Sequence, residues 1–160
     1  MRFIFVLLIS SLSAVAALPL EKQQFVLKKP ASKWFGERIA LPPKGFAPDL
    51  RLKGIEEILF APGMFKADQP DFFSYAFLFA LEANPKLDTK VLEKELFTYY
   101  SGLSKARMGN PQLDTSKFSV KVDPLEDKGV SPKSAINVRN YRAKVVWLEP
   151  FATKKMQTLY

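Results

Sequence analysis

Beyond residue 33 the spacing of apolar positions switches between period two and a helical period, and each switch marks an element. Trp34 to Leu41 reads as a strand ended by Pro42-Pro43, and Gly54 to Phe60 as a second strand closed by Ala61-Pro62-Gly63. Phe72 to Glu82 separates by parity into a bulky face (Phe73, Tyr75, Phe77, Phe79, Leu81) and a mostly small one (Ser74, Ala76, Leu78, Ala80). Apolar character on both faces predicts a central strand covered twice. Asn84-Pro85 breaks it, and Asp88 or Thr89 caps a helix running to about Met108. The predicted helix stripe is Leu92, Leu96, Tyr99, Leu103 and Ala106, and Gly109-Asn110-Pro111 stops it. Lys117 to Val122 alternates as a half-exposed strand, Asp123 to Ala135 reads as a long mobile loop, and Val138 to Leu148 resumes as a strand. After Glu149-Pro150 the chain ends on Gln157-Thr158-Leu159-Tyr160, which reads either as an edge strand beginning or as a truncated reading frame. Strands, one helix, then strands predict an α+β domain: an antiparallel sheet with one long helix packed across it.

Two surfaces stand out. Pro62-Gly63 suits the centre of a type II turn, which carries Met64 and Phe65 to its tip or folds them back as a plug. If the last two long strands pair, Lys117, Lys121, Arg142 and Lys144 share one wet, basic face, opposite Tyr141, Ala143, Val145 and Trp147. The small face of the Phe72 strand invites close helix packing; the alternative is a ligand cavity between helix and sheet, floored by Ser74, Ala76 and Ala80.

The first residues belong to targeting rather than fold. Arg2, the apolar run Phe3 to Leu12 and the small residues Val15-Ala16-Ala17 form a signal peptide over residues 1–17, with a cut one residue earlier as the alternative. Residues 18–33, with Pro19, Pro30 and the apolar group Phe25-Val26-Leu27, read as an N-terminal arm, and 34–160 as a single domain. No later apolar segment is long enough to cross a bilayer as a helix. Absence of any Asn-x-Ser/Thr sequon favours a bacterial envelope over a eukaryotic secretory route, so the expected location is periplasmic or secreted.

With neither Cys nor His, disulfides, Cys or His nucleophilic catalysis, Ser-His-Asp triads and nearly all zinc, copper and haem sites drop out, and no cofactor is expected. Removing Arg2 with the leader leaves 23 cations and 16 acids, a net +7. That charge serves solubility and also suits an anionic polymer. Nucleic acid fits less well, because the rings near the basic patch fall on the face opposite Arg142 and Lys144. Asp123, Glu126 and Asp127 lack the spacing of a calcium loop. Carboxylates remain the only acid/base groups: Glu56 and Glu57 face opposite sides of a strand, and either could meet Glu82 or Asp71 across strands, as a hydrolase would require.

The run Gly36-Glu37-Arg38-Ile39-Ala40-Leu41-Pro42-Pro43, then Phe46-Ala47-Pro48-Asp49, then Gly54 to Phe65, then Phe72-Phe73-Ser74-Tyr75, resembles a group of uncharacterised exported bacterial proteins. The resemblance implies export and carries no activity. The sequence therefore leads to an exported, non-catalytic binding or accessory protein of the cell envelope. Its partner would be another envelope protein or an anionic polymer, met at the Pro62-Gly63 turn or the basic face. A small-ligand binder and a carboxylate hydrolase are the alternatives.

Overall fold

The computed structural model describes residues 26–28, 33–83, 85–125 and 139–160. The expected signal peptide, most of the arm and the loop from Glu126 to Ala135 lie outside them. The elements are β1 (Phe35–Leu41), β2 (Gly54–Phe60), β3 (Tyr75–Leu81), α1 (Thr89–Arg107), β4 (Ser119–Leu125), β5 (Asn140–Leu148) and β6 (Met156–Leu159). The class is α+β, with every strand pair antiparallel, and the strands form two three-stranded sheets, β1-β2-β3 (sheet A) and β4-β5-β6 (sheet B).

α1 explains the division. Asp88 caps its start by accepting from the Val91 amide at 3.0 Å. Its end is a Schellman turn on left-handed Gly109 (φ 62°), with the Gly109 amide donating to the Ala106 carbonyl and the Asn110 amide to Lys105. The buried set is Leu92, Glu95, Leu96, Tyr99, Tyr100, Ser101 and Ser104, an arc too wide for one partner. Ala106, expected on the stripe, is exposed. One side of the arc meets sheet A, where Tyr99 stacks on Phe77 at 6.4 Å and 4°. The other side meets sheet B, where the Ser104 hydroxyl donates to the Leu148 carbonyl at 2.8 Å.

Sheet A departs from expectation in three ways. β2 is the central strand, and β3 is an edge. The strand expected from Phe72 begins only at Tyr75, because Phe73 adopts a left-handed backbone (φ 54°), its amide donating to the Met64 carbonyl at 3.0 Å. Such a conformation is rare for a bulky residue, and full burial of the Phe73 ring holds it there. The helix also lies over the bulky face of β3, whose Phe77 and Phe79 rings meet Tyr99. Aromatic contact decides this, since the Phe77 and Phe79 rings span the distance to Tyr99. Ala76 and Ala80 consequently share the opposite face with Glu57, Leu59 and Leu78.

On that opposite face Glu57 is buried and fully paired. Its Oε1 accepts from Arg38 Nε and Nη2 at 3.2 and 2.5 Å, and its Oε2 accepts from the Val26 and Leu27 amides at 2.7 and 3.0 Å. These bonds fasten the described part of the arm to the centre of sheet A.

Sheet B sends Val122, Val145 and Trp147 inward and Lys121, Arg142 and Lys144 outward, as alternation predicts. β4 runs on to Leu125, so Asp123 to Leu125 are strand rather than loop. Pro124 is tolerated because β4 is an edge. The Val122 amide donates to Glu93 Oε1 of α1 at 2.9 Å, so the helix blunts that edge. Trp147 is fully buried where the sheets meet, 4.7 Å from the Tyr100 ring and 5.6 Å from Phe73.

Gly102 marks the tightest approach of the helix: a Cβ there would lie 2.0 Å from the Phe46 carbonyl oxygen. An open helical glycine gains up to about 1 kcal/mol on becoming Ala. Gly102→Ala is expected instead to destabilise by about 1–3 kcal/mol in a urea titration, because the overlap is with backbone.

Candidate functional site

Side-chain contacts between α1 and sheet A do not close completely. A cavity of about 90 Å³ remains between them, lined chiefly by rings. Ile39, Ile58 and Phe60 of sheet A form one wall and Tyr99, Tyr100 and Leu103 of α1 the other. Met64 and Phe73 from the β2–β3 loop, with Trp147, enclose it. Exposed Glu37, Phe65 and Arg107 line its open side, where Phe151 also stands. A cavity between helix and sheet floored by Ser74, Ala76 and Ala80 is one expectation from the sequence; the cavity observed opens on the other face of β3, its floor is aromatic, and none of those three residues lines it.

The β2–β3 loop shapes this opening. The Met64 amide donates to the Ala61 carbonyl at 3.0 Å, so Pro62 and Gly63 occupy the centre of a turn. Gly63 lacks the positive φ of the expected type II turn. Glycine is needed for space: a Cβ would fall 1.9 Å from Asp71 Oδ1, while Asp71 Oδ2 accepts from the Gly63 amide at 2.9 Å. Met64 turns inward and is buried; Phe65 is 42 % exposed and packs near Phe60 (5.6 Å) and Phe151 (5.3 Å). Of the four turn residues, Met64 and Phe65 line the cavity and Pro62 and Gly63 do not.

Phe151 is set by a buried carboxylate. Glu149 is fully enclosed and accepts from the Phe151, Ala152 and Thr153 amides at 2.5, 3.0 and 2.6 Å and from the Thr153 hydroxyl at 2.8 Å. Desolvation alone would raise its pKa. The Thr153 bonds, with those from Phe151 and Ala152, outweigh it and hold the carboxyl below its ordinary value. The ordered loop presents the Phe151 ring to Phe65 and to the Arg107 guanidinium, 5.4 Å from its centroid.

Beside the cavity, Glu56 occupies the centre of sheet A with no exposed surface. Burial, only partly offset by the Tyr99 hydroxyl donating to Oε1 at 2.8 Å, and then the charge of Glu37, raise its pKa from 4.5 to about 7. The Tyr75 and Tyr100 hydroxyls bond to each other, and burial is the main cause that raises both, Tyr100 to about 12. The site thus offers neutral hydroxyls and rings. Asp71 serves the Gly63 amide and Glu82 is exposed past the end of β3; neither lines the cavity. Among the described residues no acidic cluster could hold a metal ion.

The basic residues form a separate surface. Lys121 and Lys144 are register partners, and Arg142 opposes Asp123. Lys117 falls in the turn ahead of β4, outside the sheet. Sequence reasoning missed most of the cavity wall, including Phe46, Tyr100, Leu103 and Phe151. The doublet Tyr99-Tyr100 was the available signal, since two adjacent rings on a helix point toward two different partners. No family model matches the chain, and neither the curated proteins nor the solved structures contain one significantly similar to it.

Two outcomes follow from the burial. Met64→Ala is expected to destabilise by about 2–5 kcal/mol in chemical denaturation and Phe65→Ala by less than about 1 kcal/mol, separating the core residue from the rim. Glu56 has a folded pKa above its unfolded value, so its favourable state is complete below pH 4.5 and lost as pH rises through about 7. Measured against Glu56→Gln over that range, the parent should lose stability by an amount on the order of 3 kcal/mol. A constant difference between the two proteins would show that Glu56 does not titrate upward.

Proposed function

We propose that the protein is an exported, non-catalytic binding protein of the bacterial envelope that holds a small apolar molecule between α1 and sheet A. The observation that carries this reading is the ring-lined cavity, open past Phe65 rather than sealed. Its size sets the ligand's. An engineered cavity of roughly 150 Å³ takes benzene, so about 90 Å³ admits a short alkyl end or part of a ring, with the remainder at the mouth. There Glu37 and Arg107 supply one charge of each sign for a polar end. The Tyr75 and Tyr100 hydroxyls at the cavity are bonded to each other, and the buried Glu56 carboxyl is held by Tyr99 and does not line it, which favours holding over turnover.

Titration with the neutral fluorophore N-phenyl-1-naphthylamine tests the reading. Enhanced fluorescence and a raised melting temperature are expected for the parent. Leu103→Trp, which fills the cavity from the helix side, should lower the probe's affinity at least tenfold while the far-ultraviolet circular dichroism spectrum is unchanged. Equal affinity in both proteins would place the probe elsewhere and remove the reading.

A further inference from the structure

We propose that the outer face of sheet B docks on an anionic phospholipid surface. The register puts Lys121 directly opposite Lys144 and places Arg142 on the same face, with Asp123 its one acid among the described strand residues. Like charges facing each other across a strand pair oppose folding, and Glu93 and Asp123 offset this only in part, so an anionic partner would relieve the pair further. Lys121 is only loosely occupied: its Nζ is 3.6 Å from Glu93 and 3.7 Å from Asp123, and the side chain is 69 % exposed. Lys144 reaches over the Tyr160 ring, 5.7 Å from its centroid.

What distinguishes a lipid surface from a soluble polyanion is the apolar material on the same face. Leu148 and Met156 are register partners, and Val146 pairs with Thr158, so parity aligns all four with Lys144. Met156 and Tyr160 are about half exposed, and Leu125 extends the same face of β4. A polyanion would be satisfied by the cations alone. Cations beside a thioether and a phenol match the headgroup layer of a bilayer, where charge is met at the surface and amphipathic rings settle just beneath it. The face belongs to sheet B and shares no residue with the cavity, so this inference does not rest on the proposed ligand.

Co-sedimentation with large unilamellar vesicles tests it, using the exported form without residues 1–17 so that the leader cannot insert. Binding is expected to vesicles of phosphatidylglycerol and phosphatidylcholine, and not to phosphatidylcholine alone. Each cation removed should lower partitioning about fivefold, so Arg142→Gln with Lys144→Gln loses roughly 25-fold. Met156→Ser with Tyr160→Ser should lose several-fold with charge unchanged, and thermal melts confirm that both double variants fold. No binding to the anionic vesicles, equal binding to zwitterionic ones, or unchanged binding in either folded double variant would overturn the proposal. So would tighter binding to soluble polyphosphate than to vesicles, which would assign the face to a polymer.

Discussion

Neither three-stranded sheet can bury a core by itself, and the helix is the surface that both need. The packing of both sheets depends on how α1 divides its circumference between them. Toward sheet B it comes close, through Ser104 and through Glu93 at the β4 edge. Toward sheet A it stands off, bridging the distance with the Tyr99 ring on Phe77 and the Tyr100 hydroxyl on Tyr75. Long rings leave corners unfilled where short side chains would allow the backbones to close, and the cavity is what remains of that separation.

The electrostatics of the interior follow the donors that each buried carboxyl finds. Three glutamates are buried on or beside strands, and each is accommodated differently. Glu57 meets a guanidinium and two amides, Glu149 gathers three amides and a hydroxyl, and Glu56 has a single tyrosine hydroxyl. The number of donors orders their character: the well-supplied Glu149 is held ionised, whereas Glu56 is pushed toward neutrality.

Local rules carried the sequence reading a long way. The span of β2, the Asp88 cap, the Gly109 stop and the inward side of β5 all follow from short-range chemistry that tertiary contacts do not alter. Failures came where contacts distant in sequence decide. Phe73 bends out of strand geometry because its ring is wanted beside Trp147, 74 residues on. Glycine at position 63 answers to a neighbouring carboxylate, which no turn rule encodes. The division into two sheets required knowing that the arc of the helix was wide, and only burial reveals that. The cavity was legible as a possibility and its walls were not, since apolar parity names faces without saying which faces meet.

The clasp between Glu57 and the arm has a consequence of its own. Its carboxylate recognises the main-chain amides of Val26 and Leu27 and asks nothing of their side chains. Docking by backbone is indifferent to spelling: any pair of residues that keeps two N–H groups in line can occupy the place. Proline alone is barred, having no hydrogen to offer. Positions 26 and 27 are thus free to change their letters while remaining tied to the domain.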